Sequence, residues 1–239
     1  MLTQWDVADF AWAFTHIRQN QTKPAVYVLT NTRSLDPAEA AARNEEIVRN
    51  ALAAAAGNVR LGFVSRSDST SVATTPLEPD VIAATVASET GEATDGVVIV
   101  PAFPDAGRVT IGGVHYMRGG TGEDAGTLTP VAETEFAKDA SFGFKNSEMA
   151  KYVEEKSRGG RFPAGDVIVL DLNIIRAGAS AQDPTISAKA IADALESATN
   201  STPIVADIVT ENDFRALALG SKKPSAAARS SCTVWARPS

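Results

Sequence analysis

Two short polar clusters, TNTRS and SRSDST, contain the residue types that bind small hydroxylated anions. Their amide, hydroxyl, guanidinium and carboxylate groups come from Asn31, Thr32, Arg33, Arg66, Asp68 and Ser69. An arginine fork holds a carboxylate by two parallel hydrogen bonds, and Asp and hydroxyl groups pair with alcohols. A carboxylated polyol is the ligand that these residue types suit. The alternative is that each cluster caps a turn or helix start, where Asn, Asp, Ser and Thr satisfy free backbone amides.

A third cluster, PAFPDAGR, carries Asp105 and Arg108 after another apolar run. Loops that follow the strands of a parallel sheet meet at the carboxyl edge of that sheet, where ligands bind. We therefore expect the three arginine-containing clusters to converge at one edge. This convergence favours a binding site over three unrelated capping loops.

Five apolar runs rich in Val, Ile and Leu predict strands that are covered on both faces. They lie at residues 25–30, 59–65, 96–103, 166–172 and 203–209. Amphipathic segments predict helices at residues 6–19, 37–56, 78–89, 147–156, 185–199 and 211–219. In the second helix, Asp36 is the expected N-cap and Pro37 suits the first position. The alternation of strands and helices predicts an α/β fold, doubly wound around a mostly parallel sheet.

One region departs from this alternation. The apolar residues 109–111 and 114–117 flank Gly112 and Gly113, and two glycines between such runs predict a two-residue β-hairpin inserted into the fold. The glycine-rich stretch RGGTGEDAGT follows the hairpin, and it lacks the lysine and hydroxyl of a phosphate-binding loop. We interpret it as a flexible surface loop.

Composition narrows the class of partner. The chain has 239 residues, a formal net charge of -7 and scattered basic residues, which argues against nucleic acid and anionic membranes as partners. Its single cysteine, Cys232, cannot form an internal disulfide or a multi-thiolate metal site. Asp6 and Asp9 lie where a secretory signal would be basic and then apolar. We expect a cytoplasmic protein that binds a small molecule or another protein.

Other catalytic arrangements have weaker support. His16 falls in a predicted helix and His115 in the hairpin, and neither has the cysteine or patterned carboxylates of a metal site or triad nearby. Glu133 and Glu135 could supply a base, although alternating carboxylates are also typical of a solvated strand face. The aromatic residues near the amino terminus are expected in the core: Trp5, Trp12 and Phe14.

Four ordered motifs closely resemble the amino-terminal, sugar-binding domain of the four-carbon acid sugar kinase family. They are VYVLTNTRSLDPAEAAARN, GFVSRSDST, VIVPAFPDAGRVTIGGVHY and ETEFAKD, and the resemblance extends from about residue 2 to residue 219. It implies an ATP-dependent kinase that acts on threonate, erythronate or their 3-oxo relatives. The residues that it assigns to the substrate site are Asn31, Thr32, Arg33, Arg66, Asp68, Ser69, Arg108, Thr134 and Glu135. A catalytic residue is not assigned.

The chain also departs from the family pattern. The Asp-Asp-x-x-Gly motif with which the family begins has no counterpart in this sequence, and we expect the chain to lack the nucleotide-binding domain that supplies most of the ATP site. We expect a sugar-acid-binding domain at residues 1–220 and an atypical tail at residues 221–239. The resemblance implies ATP and Mg²⁺ for the full-length family, and we expect this chain alone to bind neither.

Residues 71–75 differ from the family in a way that suggests a damaged gene. The family continues with Arg-Gly-His after the Asp-Ser-Thr motif, whereas this chain reads Val72, Ala73 and Thr74. Two compensating frameshifts in this segment, and one uncompensated frameshift near Ser221, would produce the observed sequence. The alternative is ordinary divergence. Loss of a cation and an imidazole from the pocket should lower its affinity for anions, and resequencing of the locus tests the hypothesis.

Three functions follow from these observations. The first is a sugar-acid-binding domain that is inactive alone. The second is the subunit of a split kinase completed by a separate nucleotide-binding chain, which an exposed apolar patch would favour. The third is a non-enzymatic binding or dimerisation module. In that case the chain could form a homo-oligomer.

Overall fold

The computed structural model describes most of the chain, with gaps between the described ranges. These ranges are residues 4–20, 25–32, 35–56, 59, 61–65, 77–120, 125–138, 143–157, 160–178, 184–221 and 230–232. Several predicted features therefore lie outside the described residues: Arg33, Arg66, Asp68, Ser69, residues 71–75, residues 121–124 and most of the tail.

The six predicted helices form close to their expected bounds. They are α1 (Val7–Asn20), α2 (Pro37–Ala55), α3 (Leu77–Thr90), α4 (Met149–Lys156), α6 (Pro184–Leu195) and α7 (Glu211–Gly220), and a short additional helix, α5 (Leu172–Ile175), was not predicted. Short 3₁₀ helices span Pro104–Ala106, Val131–Glu133, Glu135–Lys138 and Ala164–Asp166. The Asp36 carboxylate accepts hydrogen bonds from the amides of Ala38 and Glu39, so the predicted N-cap of α2 is confirmed. Within the described residues, no helix is both long and apolar enough to cross a membrane.

A four-stranded parallel sheet forms the centre of the fold, from strands β1 (Thr94–Ile99), β5 (Ile168–Leu170), β6 (Thr202–Ala206) and β7 (Ser230–Cys232). The strands lie in the order β5-β6-β1-β7. Strand β1 pairs with β6 on one side, where Val98 lies opposite Ile204, and with β7 on the other. This arrangement confirms the α/β class with a parallel sheet.

Both faces of this sheet are buried. On one face Ile204 and Ala206 of β6 join a core with Ile191 of α6 and Leu217 of α7. On the other face Val205 of β6 packs in a cluster with residues of α4. Successive side chains of a strand point to opposite faces, so helices on both sides explain the uninterrupted apolar runs.

The inserted hairpin forms as predicted. Strands β2 (Arg108–Ile111) and β3 (Val114–Arg118) pair in antiparallel register around Gly112 and Gly113. These two glycines have φ values of 60° and 73°, which is the conformation that a two-residue hairpin turn requires. A third strand, β4 (Leu128–Pro130), pairs with β3 and was not predicted.

Two of the predicted strands are wrong. Residues 25–30 form no strand, and neither do residues 59 and 61–65, which are the described part of the predicted strand at 59–65. Val28 and Phe63 still pack against α1 and α2, whereas Tyr27 is 82% exposed and Leu29 is 58% exposed. An apolar run indicates that a segment is buried. It does not indicate whether a neighbouring strand is available to pair with the backbone of that segment. These segments therefore bury one side without joining the sheet.

Replacing Gly220 by alanine should destabilise the packing of α7 on α6. A β-carbon at Gly220 would lie 2.5 Å from the Cβ of Ile191 and 3.0 Å from the carbonyl oxygen of Ala188. We expect the free energy of unfolding to fall by about 1–3 kcal/mol, measured by urea denaturation. Gly165→Ala is the control, because no atom lies within 4 Å of the added carbon there. Equal stability of the two variants would contradict the prediction.

Candidate functional site

Two of the predicted polar clusters meet at a buried carboxylate that the sequence analysis missed. Glu78 Oε1 accepts a hydrogen bond from Thr32 Oγ1 and Oε2 accepts one from Ser65 Oγ, both at 2.5 Å. All three side chains are buried, with exposures of 5% for Thr32, 7% for Ser65 and 5% for Glu78. The structure thus brings Thr32 of the TNTRS segment and Ser65 of the SRSDST segment together around one side chain.

Local sequence explains why Glu78 occupies this position. It lies in the first turn of α3, where free backbone amides and the helix dipole stabilise a negative charge. The Thr30 and Thr32 hydroxyl groups are hydrogen-bonded to each other, with their oxygens 3.1 Å apart. Arg43 Nη1 donates a hydrogen bond to the backbone carbonyl of Thr30 at 2.8 Å. The signal available in the sequence was an acidic residue at a predicted helix start, directly downstream of the polar cluster.

Asn31 lies between these two threonines in a left-handed conformation, with a φ of 54°. Asparagine tolerates this region better than most residues because its short side chain can bond locally. The Asn31 side chain is exposed, whereas that of the next residue, Thr32, is buried. The turn therefore directs one predicted site residue to the surface and the other towards Glu78.

The remaining described candidates belong to the second sheet and its connections. Arg108 begins β2, is partly buried, and exchanges backbone hydrogen bonds with Phe103 at 2.8 and 3.0 Å. Thr134 donates its hydroxyl proton to the carbonyl of Val131 at 2.6 Å. Glu135 is exposed at the start of a 3₁₀ helix, as is Glu133 at the end of the preceding one. Both glutamates are solvated, as the alternative interpretation expected, but the segment is helical and not a strand.

A second group of carboxylates, also missed from sequence, follows β5 and β6 at the carboxyl edge of the sheet. Asp171 caps α5 through the amide of Ile174. Asp207 is fully buried, and its carboxylate accepts from the amides of Gly112 at 2.5 Å and Gly113 at 2.9 Å. The turn of the inserted hairpin is therefore held on the end of β6 by Asp207.

Burial raises the pKa of Asp207, and three backbone amides lower it only in part. These amides belong to Gly113, Gly112 and Leu172, and the nearby Asp171 carboxylate adds to the increase. The hairpin also exchanges backbone hydrogen bonds with Ile208, the residue after Asp207. Asp207 thus has a structural role that links the two sheets.

Asp213 forms the other buried carboxylate contact in this region. Its carboxylate accepts hydrogen bonds from Arg176 Nε at 2.7 Å and from Arg176 Nη2 at 2.8 Å, which together form a bidentate ion pair. Burial alone would raise the pKa of Asp213, but hydrogen bonds from Arg176 and from the amides of Val209 and Thr210 lower it overall. The hydrogen bond with Asp213 raises the pKa of Arg176. The sequence signal was the capping-box spacing of Thr210 and Asp213 before α7.

The two histidines contact neighbouring side chains of the fold. His115 is 2% exposed, and its Nδ1 lies 3.1 Å from Thr110 Oγ1. His16 stacks on Trp12 with ring centroids 5.2 Å apart, and Trp12 is 69% exposed instead of lying in the core as expected. Trp5 and Phe14 do pack beside the core residue Phe10. Among the described residues, no group of three or more His, Cys, Asp or Glu could hold a metal ion.

Solved structures share this fold at low sequence identity. A Haemophilus influenzae protein of the DUF1537 family aligns with a TM-score of 0.53 and 16% identity, over 80% of this chain and 40% of that one. A structure described as a putative tRNA synthase from Salmonella typhimurium aligns with a TM-score of 0.54 and 16% identity, over 91% of this chain and 52% of that one. The chain spans about half the length of the structures that it resembles.

A third structure carries a bound molecule. It is a domain of unknown function, DUF1537, from Bordetella bronchiseptica, solved as a domain-swapped dimer with bound citrate. It aligns with a TM-score of 0.51 and 22% identity, over 89% of this chain and 48% of that one. A search of curated proteins found no match.

A family model described as "Sugar-binding N-terminal domain" matches residues 1–236, which is nearly the whole chain. The match agrees with the motif resemblance to the amino-terminal domain of four-carbon acid sugar kinases. The chain therefore belongs to the family of sugar-binding N-terminal domains.

Proposed function

We propose that this chain binds a four-carbon acid sugar of the threonate or erythronate type and does not phosphorylate it alone. The observation that carries the proposal is the junction at Glu78, which joins the loops that bear Asn31 and Arg66. Hydroxyl, amide and guanidinium groups on two adjacent loops suit a ligand with one carboxylate and several alcohols. The citrate bound in the Bordetella structure is also a hydroxylated carboxylate, which supports this ligand class.

The proposal assigns ATP and Mg²⁺ to a nucleotide-binding domain other than this one. Phosphoryl transfer requires a nucleotide and metal held in line with the acceptor hydroxyl. The contribution of this chain would be to bind and orient the sugar acid.

A subunit of a split kinase is a second candidate, and exposed apolar side chains favour it. Tyr27, Leu29 and Val64 are 82%, 58% and 48% exposed, on the two segments that were expected to be strands. Exposed apolar side chains close together are typical of a contact with another protein, and Tyr27 and Leu29 are two positions apart in the chain. In this case a separate nucleotide-binding chain would complete the enzyme.

A thermal-shift screen of the full chain tests the first candidate. We expect threonate or erythronate to raise the melting temperature, because a ligand that binds only the folded state stabilises it by mass action. Threitol, which lacks the carboxylate, and succinate, which lacks the hydroxyls, should have little effect. Stabilisation by ATP and Mg²⁺ without sugar acid would contradict the proposed division of roles.

Variants at the predicted motif make this screen specific. Arg66→Ala should weaken the binding of the sugar acid by about 10- to 100-fold, since a charged hydrogen-bonding partner is lost. Arg215→Ala is a matched control on the exposed side of α7, where Arg215 is 67% exposed. Equal binding by the two variants would show that the SRSDST motif does not contact the ligand.

A further inference from the structure

Glu78 contacts two segments that are far apart in the sequence. Thr32 is 46 positions from Glu78 and Ser65 is 13 positions from it, and each donates to a different carboxylate oxygen. Each of these hydroxyl residues directly precedes an arginine of the predicted site, Arg33 or Arg66. The backbone leading into both arginines is therefore held by one side chain.

The carboxylate of Glu78 accepts from both hydroxyl groups at once. A glutamine would accept from one hydroxyl through its oxygen, but its amide group could only donate to the second, whose own proton would then lose its present acceptor. An apolar side chain would leave both buried hydroxyl groups without the acceptor that they now share. The contact between the two segments thus depends on the chemistry of Glu78 and not only on its size.

We propose that Glu78 is a positioning residue for the sugar-acid site, which couples residues 30–32, including the predicted site residue Asn31, to residues 61–65. The inference rests on the proposed function for its ligand. It adds a residue that contacts the protein instead of the sugar acid. A two-loop site needs a fixed spacing, because a ligand with a carboxylate and several hydroxyls must meet both loops at once.

Calorimetric titration of the full chain with threonate and erythronate tests the effect on binding. We expect Glu78→Gln to weaken affinity by about 10- to 30-fold and Thr32→Val by about 3- to 10-fold. The double variant should bind no more weakly than Glu78→Gln alone, because both changes break the same contact. Glu89→Gln is the matched control on the exposed side of α3, where Glu89 pairs with Arg49. Additive losses in the double variant would overturn the proposal.

Amide hydrogen exchange on the ligand-free protein tests the coupling itself. Glu78→Gln should speed up exchange at residues 30–32 and 61–65 together, by about tenfold or more, while exchange in β6 stays unchanged. Glu89→Gln should leave both segments as they are. Unchanged exchange, or a change in only one segment, would overturn the coupling. If the unaltered chain binds neither acid, the proposed function and the ligand part of this inference both fail, and exchange still decides whether Glu78 couples the segments.

Discussion

Asp207→Ala should lower the free energy of unfolding by about 2–4 kcal/mol, because it leaves buried amides of the hairpin turn without an acceptor. In the folded protein the Asp207 carboxylate accepts hydrogen bonds from the backbone amides of Gly112, Gly113 and Leu172. Urea denaturation followed by circular dichroism measures the change. Asp207→Asn keeps one acceptor oxygen and should lose less. A loss below about 0.5 kcal/mol in the alanine variant would show that the hairpin does not depend on this contact.

The stability contribution of Asp207 should also fall as pH rises. Burial raises its pKa in the folded protein above the ordinary value of about 3.9, so the folded state holds this proton more tightly than the unfolded state. Its contribution is therefore complete below the unfolded pKa and is lost as pH rises through the folded pKa. The stability of the unaltered chain relative to Asp207→Asn should decrease across that interval. A constant difference from pH 3 to pH 7 would contradict the raised pKa.

Asp213→Ala should lower the free energy of unfolding by about 2–4 kcal/mol at neutral pH. The variant loses both prongs of the Arg176 ion pair and the acceptor for the amides of Val209 and Thr210, at the start of α7. Asp213 is only 3% exposed, so solvent screens this pair less than a surface pair. Denaturation with urea measures the loss.

An exposed ion pair on the same helix supplies the control. Glu211 and Arg215 are 74% and 67% exposed, and Glu211→Gln should change the free energy of unfolding by less than about 0.5 kcal/mol. If Asp213→Ala and Glu211→Gln have equal effects, burial does not strengthen the Arg176 contact.

The pH dependence at Asp213 should have the opposite sign to that at Asp207. The folded pKa of Asp213 is lowered, so the folded state binds this proton less tightly than the unfolded state. Its contribution is present above the unfolded pKa of about 3.9 and is lost as pH falls through the folded pKa. The stability of the unaltered chain relative to Asp213→Asn should therefore decrease on acidification. Parallel pH profiles for the two aspartates would contradict the assignment.

Features set by neighbouring residues were predicted well. The helix α2 begins after Asp36 because an aspartate before Pro37 satisfies free amides at the first turn. The hairpin turns at Gly112 and Gly113 because only residues that tolerate positive φ fit there at low cost. The motif resemblance to a sugar-binding domain is likewise contained in short stretches of sequence, and the family match confirms it.

Features that depend on distant residues were not predicted. Residues 25–30 have the composition of a strand, but strand formation needs a partner edge, and residues 230–232 occupy one edge of β1. The sequence also does not reveal that Glu78 and Asp207 are acceptors, because the donors of Glu78 lie 13 and 46 positions away along the chain and the glycine donors of Asp207 lie 94 and 95 positions away. An aspartate or glutamate after an apolar run can be a solvated loop residue or a buried hydrogen-bond acceptor. The local sequence is the same in both cases.

The sequence by itself determined the α/β class, the hairpin and the motifs of a sugar-binding domain, because propensity, capping and turn geometry act over a few residues. The tertiary structure decided which polar groups lie together. A buried carboxylate is stable only where several donors converge, and that convergence exists only after the chain has folded. Glu78 between two loops, and Asp207 beneath the hairpin turn, could be identified only at that stage.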